Sequence, residues 1–335
     1  MKELSVAIII PVKYFNINLE KAIQECLKLD YKKFEVLVFP DITSKEFMKY
    51  AGKIKVIPTG SIGPAEKRDL ALEHSSADIF AFLDDDAYPE PDWLKNALRH
   101  FKDKEIAAVG GPSITPPEAN FASIVSGNAL SCAIVSGPYT YRYVPGNKIM
   151  TVDDYPSCNF LVRREVFEKL GGFDSSFYPG EDTKLCLEIT RELKMKILYD
   201  PKVLVYHHRR DSLIGHLKQM ANYAMHRGNF AKRYPETSRK FAYFVPSLFV
   251  ILLFSGVVFA WLIHPLRWIY SVCVVAYFSI VTAFTVVGIF HQRDRSLIRK
   301  SRLIIPVIIY IVDTHICYGI FFLKGLMLKK LKEEQ

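Results

Sequence analysis

The stretch FAFLDDDAYPEPDW, residues 80–93, decides the fold of this chain. The apolar run 79–83 ends directly in three carboxylates, Asp84, Asp85 and Asp86. A short apolar run bounded by polar residues is typical of a buried strand, and open α/β sheets bind ligands at the carboxyl ends of such strands. Adjacent carboxylates repel one another unless a cation shares them, and their hard oxygens suit Mg²⁺ or Mn²⁺. The alternative is a solvated acidic turn before a helix that begins at Pro91.

Apolar runs on both sides of this stretch predict an α/β fold. Buried strands are indicated at residues 6–12, 34–39, 55–57, 79–83 and 106–109. Segments of helical character lie between them, and one opens at Gly63-Pro64, with proline at the favoured first position. Strands that alternate with helices predict a doubly wound, mostly parallel sheet.

The next hundred residues are less regular. Residues 115–154 are rich in proline, glycine and small polar residues, and we expect loops around the site there. Regular structure resumes with strands predicted at 160–162, 196–199 and 203–206, and helices at 164–170 and after Gly180. Glu181 and Asp182 fall in the first turn of that last helix, where the helix dipole favours negative charge. This acid pair therefore has a purely structural interpretation as a charged helix start.

Charge and cysteine usage limit the possible partners and compartment. The 335 residues carry a net charge of +9 and six scattered cysteines without a CxxC pair, which argues against a zinc site or a disulfide framework and fits a reducing compartment. The cations cluster beside apolar segments, at 232–240, 293–302 and 324–332, and no nucleic-acid motif is present. This distribution predicts a membrane partner rather than nucleic acid. The apolar run at the N-terminus is too short for a signal peptide, so we expect the N-terminal part to stay in the cytosol.

Three apolar segments predict a membrane-spanning region. Residues 241–263 and 266–290 are each long enough to cross a bilayer, and His264-Pro265 between them predicts a tight hairpin. The basic linker 291–302 is predicted to be cytosolic by the positive-inside rule. The third segment, 303–323, contains ionisable residues. Its length favours a crossing, which puts the basic tail outside. A re-entrant or interfacial segment, the alternative, keeps the tail inside.

A basic amphipathic segment precedes these spans. Leu213, Leu217, Met220 and Ala224 recur at helical spacing among cations, which is typical of a helix on a membrane surface. A helix packed on the preceding domain is the alternative. The predicted organisation is an α/β domain at 1–210, amphipathic interfacial helices at 211–240 and a transmembrane region at 241–335.

Four blocks in this order resemble the family 2 glycosyltransferases, which have the GT-A fold. The blocks are IIIPV (8–12), GPAEKRDLAL (63–72), FLDDDAYPEPDWL (82–94) and CNFLVRREVFEKLGGFDSSFYPGEDTKLCLEI (158–189). The resemblance extends over residues 6–227. The segment HICYGIFFLKG (315–325) is similar to membrane-bound members that assemble exopolysaccharides and glycolipids. The expected fold is therefore a Rossmann-like GT-A domain followed by an α-helical transmembrane region.

The resemblance implies a nucleotide-sugar donor and a divalent metal ion, Mg²⁺ or Mn²⁺. It implies donor contacts by Pro11, Val12, Asp41, Lys67, Arg68, Asp84, Asp85 and Arg227, with a phosphate of the acceptor as the alternative ligand of Arg227. Asp84 and Asp86 match the metal-binding pair, and His207 or His208 is expected as a third ligand, with His208 as the candidate. The chain departs from the family at Asp69, where asparagine is usual.

Glu181-Asp182 matches the family's acid pair, with Asp182 as candidate general base for an inverting transfer. Processive members carry a QxxRW motif that QMANYAMHRG (219–228) lacks, so addition of one sugar is expected. The implied function is transfer to a lipid-linked, polyprenyl-type acceptor in glycolipid or exopolysaccharide assembly, by a multi-pass protein of the inner membrane with a cytoplasmic catalytic domain. The alternatives are a polyprenyl-phosphate monosaccharide synthase, in which polyprenyl phosphate is itself the acceptor, and a non-catalytic membrane scaffold.

Overall fold

The computed structural model describes residues 3–291 and 297–331, which form two compact units. The first unit contains residues up to 114 and residues 144–208. The second contains residues 115–143 and the chain from 209 onward. Residues 292–296 of the predicted cytosolic linker and residues 332–335 of the basic tail lie outside the described residues.

The first unit is built on a sheet of eight strands and a smaller sheet of three. The strands are β1 (Val6–Pro11), β2 (Phe34–Phe39), β3 (Lys55–Val56), β4 (Ile79–Leu83), β5 (Ala87–Pro89), β6 (Ile106–Gly110), β7 (Ser113–Ile114), β8 (Met150–Val152), β9 (Asn159–Arg163), β10 (Lys196–Tyr199) and β11 (Val205–His207). The large sheet has the order β3-β2-β1-β4-β9-β6-β10-β8, and the small sheet has the order β5-β11-β7. The predicted α/β fold is confirmed.

Helices connect the strands of the first unit. They are α1 (Ile17–Cys26), α2 (Pro64–Asp69), α3 (Ala71–His74), α4 (Trp93–Leu98), α7 (Arg164–Leu170) and α8 (Glu181–Leu187). Helices α5 (Phe121–Ser131) and α6 (Ala133–Ser136), which follow α4 in the chain, belong to the second unit. Strands β1 and β4 are buried along their whole length, as their continuous apolar runs predict for strands covered on both faces.

The large sheet is mixed, because β9 runs against its neighbours. Strand β1 pairs in parallel with β2 and β4, but β9 lies antiparallel between β4 and β6. In this register Leu83, the last residue of β4, pairs with Asn159, the first residue of β9. The antiparallel strand therefore begins where β4 opens into the acidic turn.

Asn159 joins four segments at this point. Its side chain is fully buried, and its Nδ2 donates hydrogen bonds to the carbonyl oxygens of Gly111 at 2.6 Å and Val203 at 2.8 Å. Its Oδ1 accepts a hydrogen bond from Trp93 Nε1 at 2.9 Å. These hydrogen bonds stabilise the segments that Asn159 connects, because each buried polar group left without a partner costs about 1–3 kcal/mol.

The second unit is helical. It contains α5, α6, α9 (Leu213–Arg233), α10 (Pro235–Ser238), α11 (Phe241–Leu262), α12 (His264–His291) and α13 (Leu297–Met327). Helices α11, α12 and α13 are each long and apolar enough to cross a membrane. Gly256 of α11 packs against the ring of Tyr270 of α12, as a hairpin of adjacent helices requires. In the described part of the chain, these three helices lie at the positions of the three predicted apolar segments.

Helix α9 packs closely on α13. A Cβ atom on Gly228 would lie 2.1 Å from the carbonyl oxygen of Phe322, and one on Gly325 would lie 2.1 Å from that of Met225. These two glycines allow the backbones of the two helices to touch, as small residues do between membrane helices. Of the apolar face that predicts an interfacial helix, Met220 and Ala224 are buried and Leu213 and Leu217 are half-buried.

The prediction of loops at 115–154 is wrong for much of that segment. Residues 121–131 and 133–142 form a pair of apolar helices bent by 58° that together meet the length and hydropathy of a membrane span. Val125 and Ala129 of α5 pack with Val281 of α12 and Val307 of α13. A helix that is buried on several sides lacks the polar face that produces a helical period, so its sequence gives no periodic signal.

Candidate active site

The acidic turn between β4 and β5 lies beside the end of β11. Asp84, Asp86 and His207 each offer one ligand atom, and these atoms lie within 4.8 Å of one another. The Nε2 atom of His207 is 2.9 Å from Asp86 Oδ1. Strand β11 pairs antiparallel with β5, with His207 opposite Ala87, and this register holds the histidine against the turn. Two carboxylate oxygens and one imidazole nitrogen form a donor set that suits Mn²⁺ or Mg²⁺.

The structure places His207 in this cluster and not His208, which corrects the candidate chosen from the sequence. The ring of His208 lies near the ring of Tyr88, with 6.2 Å between centroids. His208 meets the turn through its backbone N–H, which donates to the carbonyl oxygen of Asp86 at 2.9 Å. Successive side chains of a strand point to opposite faces, so only one of two adjacent histidines faces the turn.

Each of the three carboxylates has a different partner. Asp84 Oδ1 accepts a hydrogen bond from Arg68 Nη2 at 2.7 Å, and Asp86 faces His207. Asp85 Oδ2 accepts a hydrogen bond from Asn16 Nδ2 at 2.8 Å. Burial and the adjacent Asp86 raise the pKa of Asp85 to about 6. Asp85 is thus directed to Asn16, whereas Asp84 and Asp86 form the group with His207.

Asn16 is a site residue that the sequence analysis misses. Its Oδ1 also caps α1, where it accepts a hydrogen bond from the backbone N–H of Leu19 at 2.9 Å. An asparagine just before a predicted helix is a recognisable cap signal, but its second role depends on the tertiary structure.

The guanidinium of Arg68 joins the two acidic motifs. Its Nη2 binds Asp84, and its Nη1 lies 3.3 Å from Glu181 Oε1. Arg68 is only 4% exposed and lies over the ring of Phe173, with 5.7 Å to the centroid. Burial opposes the charge, but Asp84 and Glu181 raise the pKa of Arg68. The acidic turn and the acid pair of α8 therefore meet across one buried cation.

The ends of β1 and β2 carry the other predicted donor-binding residues. Lys67 is 2% exposed, and its Nζ donates a hydrogen bond to the carbonyl oxygen of Val12 at 2.6 Å and pairs with Asp41. Pro11, the last residue of β1, pairs with Phe39 of β2. Lys67 therefore fixes the two strand ends relative to each other, next to Arg68 on the same helix.

The acid pair at the start of α8 consists of two carboxyl groups in different environments. Glu181 is 3% exposed, and burial together with the adjacent Asp182 raises the pKa of Glu181 to about 8. Its Oε2 has no hydrogen-bond partner among the described residues. Asp182 is half-buried and accepts hydrogen bonds from the backbone N–H groups of Thr183 at 2.7 Å and Ser157 at 3.3 Å. These main-chain donors fix the orientation of Asp182.

Asp69, which stands where asparagine is usual in the family that the chain resembles, has a structural role. Its Oδ1 accepts a hydrogen bond from the backbone N–H of Phe173 at 2.8 Å. Gly172 has a φ of +87°, and a Cβ atom on it would lie 2.5 Å from the same oxygen. Burial raises the pKa of Asp69 to about 7. Asp69 thus holds the Gly171-Gly172-Phe173 turn, which precedes the acid pair.

Arg227 belongs to the second unit, whereas the other predicted site residues belong to the first. It lies in α9, buried, over the rings of Tyr223 and Tyr243 at 5.0 and 5.2 Å from the centroids. Its Nη1 donates a hydrogen bond to Ser238 Oγ at 3.3 Å. The geometry of the first unit thus combines a candidate metal cluster, a buried arginine and an acid pair.

Comparison with known proteins finds glycosyltransferases. Residues 7–171 match the model of the family described as "Glycosyl transferase family 2". A pre-mycofactocin glycosyltransferase of Mycobacterium tuberculosis (strain CDC 1551 / Oshkosh) is 28% identical over 203 residues, which are 61% of this chain. The match covers 40% of the length of that relative.

Two similarities extend over nearly the whole chain. A Methanococcus voltae protein, named dolichyl N-acetyl-alpha-D-glucosaminyl phosphate 3-beta-D-2,3-diacetamido-2,3-dideoxy-beta-D-glucuronosyltransferase, is 23% identical over 96% of this chain and 97% of its own length. A mannosyltransferase of Pyrobaculum calidifontis, solved with GDP-Man and Mn²⁺, aligns with a TM-score of 0.57 at 16% identity. That alignment covers 98% of this chain and 89% of the mannosyltransferase, and at this identity it concerns the fold alone.

We expect Asp69→Asn to stabilise the protein at alkaline pH. The pKa of Asp69 is raised from 3.8 to about 7, so its favourable contribution is present below about pH 4 and is lost as the pH rises through 7. Asparagine keeps the acceptor for Phe173 without the charge. At roughly 1.4 kcal/mol per pKa unit, and with allowance for partial exposure, the gain at pH 8 should be on the order of 1–2 kcal/mol.

The measurement is thermal unfolding of both proteins in detergent at pH 8 and pH 5. Asp174→Asn is the matched control, because Asp174 makes an exposed hydrogen bond to Ser176 within its own turn. A variant that is less stable than the wild type at pH 8 would contradict the assigned role.

Proposed function

Because this chain belongs to glycosyltransferase family 2 through the domain in residues 7–171, we propose that it transfers a sugar from a nucleotide-sugar donor to a lipid-linked acceptor. The observation that carries the proposal is the Arg68 guanidinium, which binds Asp84 of the acidic turn and Glu181 of the acid pair. Arg68 thereby holds the residues that would bind the donor diphosphate close to the acid pair that would act on the acceptor hydroxyl. The full-length similarity to a protein named for a dolichyl-linked substrate supports the lipid-linked acceptor.

The donor half of the site consists of the strand ends and the acidic turn. Pro11, Val12 and Asp41, fixed by Lys67, would contact the nucleoside. Asp84, Asp86 and His207 would hold Mg²⁺ or Mn²⁺, which as a Lewis acid stabilises the charge of a departing diphosphate. Arg68 and Asp85 would contact the donor beside them.

The acceptor half of the site depends on Asp182. This carboxylate would accept the proton of the acceptor hydroxyl as its oxygen attacks the anomeric carbon and the bond to the diphosphate breaks. Two main-chain N–H groups orient Asp182, whereas Glu181 is buried and directed to Arg68, so we propose Asp182 rather than Glu181 as the base. A single displacement of this kind inverts the anomeric configuration.

We expect Asp182→Asn to lower kcat by about 10²- to 10⁴-fold, the usual contribution of a general base. Transfer of radiolabelled sugar to polyprenyl phosphate and to a lipid-linked oligosaccharide measures the loss and identifies which acceptor is used. Asparagine retains the shape and one of the two backbone hydrogen bonds, so donor binding, followed by thermal shift with Mn²⁺, should persist. A variant with wild-type kcat excludes Asp182 as the base, and a wild type that transfers no sugar to either acceptor contradicts the proposed function.

We expect His207→Ala to weaken Mn²⁺ binding and His208→Ala to leave it nearly unchanged. Loss of one ligand should raise the dissociation constant for Mn²⁺ by at least about 10-fold, since even indirect partners of a metal contribute that much. His208 contacts the turn through its backbone N–H, which alanine retains. Calorimetric titration of Mn²⁺ in the presence of a nucleoside diphosphate distinguishes the two variants. Equal effects, or a larger effect at His208, would refute the assignment.

A multi-pass arrangement in the inner membrane with a cytoplasmic catalytic domain is part of the same proposal. Helices α11 and α12 form a hairpin, and Arg299, Lys300 and Arg302 follow it. Helix α13 has 31 residues and spans about 46 Å at 1.5 Å per residue, more than the roughly 30 Å of a bilayer core. This length supports a third crossing.

A third crossing places the C-terminus on the non-cytoplasmic side. Alkaline phosphatase fused after Gln335 should therefore be active, because it folds only outside the cytosol, and green fluorescent protein fused there should be dark. The opposite pattern would show that α13 does not cross.

A further inference from the structure

Two stacked tyrosines in the second unit bring cations from three segments together. The rings of Tyr139 and Tyr243 are nearly parallel, with centroids 5.4 Å apart. The guanidinium of Arg142 lies 4.9 Å from the centroid of Tyr139, and Lys240 Nζ lies 5.9 Å from it. The guanidinium of Arg227 lies 5.2 Å from the centroid of Tyr243. Positive charge is thus concentrated around one aromatic pair, which favours an anionic ligand.

A buried hydroxyl group lies beside this cluster. Tyr318 of α13 is 8% exposed, and its hydroxyl has no hydrogen-bond partner among the described residues. Its ring lies 6.2 Å from the ring of Tyr223, over which Arg227 also lies. A buried phenol without a partner costs about 1–3 kcal/mol, and native structures satisfy most such groups. An acceptor oxygen of a bound ligand would satisfy it.

The position of the cluster distinguishes a lipid from a soluble ligand. Lys240 is the residue immediately before α11, the first membrane helix, and Tyr243 lies in the first turn of that helix. Tyrosine and lysine at the end of an apolar helix are typical of the membrane–water boundary. Phe244, Phe321 and Leu326 pack around the same tyrosines. A nucleotide would need polar partners for its base and ribose, whereas a lipid places apolar chain beside its phosphate.

We propose that Arg142, Arg227, Lys240 and the Tyr318 hydroxyl form a binding site for the phosphate group of a membrane lipid. Stacking on a ring engages the face of a guanidinium, whereas phosphate oxygens bind its N–H edge, so one arginine serves both contacts. This inference rests on the proposed function to the extent that a lipid-linked acceptor presents such a phosphate. It assigns Arg227 to the phosphate of a lipid and not to that of the donor.

The test is lipid binding by the full-length protein without any sugar donor. Thermal unfolding in detergent micelles is followed during titration with a long-chain polyprenyl phosphate, with the corresponding uncharged polyprenol and with inorganic phosphate. Polyprenyl phosphate should stabilise the wild type through binding linkage. Arg227→Gln and Tyr318→Phe should each weaken the apparent affinity by about 10-fold, as expected for a lost hydrogen bond to a charged group. Tyr318→Phe removes one oxygen atom, so it tests the proposal even if Arg227→Gln fails to fold.

Arg233→Gln is the matched control. Arg233 is an exposed cation of the same helix and also lies over a tyrosine ring, that of Tyr234, so its loss should leave lipid affinity unchanged. Equal stabilisation by the uncharged polyprenol, saturation by inorganic phosphate alone, wild-type affinity in Tyr318→Phe, or an equal loss in Arg233→Gln would each overturn the proposal.

A second titration separates this inference from the proposed function. Stabilisation by a nucleoside diphosphate with Mn²⁺ reports on the first unit and should be the same in the wild type, Arg227→Gln and Tyr318→Phe. If it is absent in the wild type while the lipid arms behave as expected, the donor proposal fails and the lipid site stands. If only the lipid arms fail, the reverse holds.

Discussion

The buried guanidinium of Arg68 is the interaction on which the first unit depends. A cation removed from water is costly unless carboxylates compensate it, and removing one partner of such a pair typically costs about 3–5 kcal/mol. Arg68 meets this requirement with Asp84 and Glu181, one from each acidic motif. The buried charge of Arg68 therefore keeps the acidic turn and the start of α8 together, because it pairs with a carboxylate from each. The preceding Lys67 acts similarly on the ends of β1 and β2.

The acidic turn shows how the fold distributes repulsive charges. Three successive carboxylates are directed to three elements: Asp84 to an arginine of α2, Asp85 to the cap of α1 and Asp86 to the end of β11. Of the three carboxylates, Asp84 and Asp86 form the group with a ring nitrogen of His207 in which the ligand atoms lie within 4.8 Å of one another. A divalent cation would reduce the remaining repulsion between them. These residues, which look like a solvated acidic turn in the sequence, thus form a candidate metal cluster because each carboxylate has a different partner.

The second unit combines close helix packing with an apolar exterior. Gly228 and Gly325 let α9 and α13 touch, while α11 and α12 expose most of their apolar side chains. In a soluble protein such an exposed surface would promote association, but in a bilayer it faces lipid. Some buried polar groups of this unit are paired within it, as in the hydrogen bond of 2.9 Å between Tyr277 and His315. This arrangement explains how ionisable residues occur in the third apolar segment.

The sequence by itself determined the strands that are continuous apolar runs, such as β1 and β4, the long apolar helices and the order of the family blocks. These features are local, since burial on both faces or in lipid imposes composition directly on a run of residues. Only the tertiary structure decided that β9 runs antiparallel, that His207 rather than His208 faces the turn, that residues 121–131 form a buried helix and that Arg68 bridges Asp84 and Glu181. Those outcomes depend on partners far apart in the chain, and a helix buried on several sides, like a single buried arginine, leaves no periodic trace in the sequence.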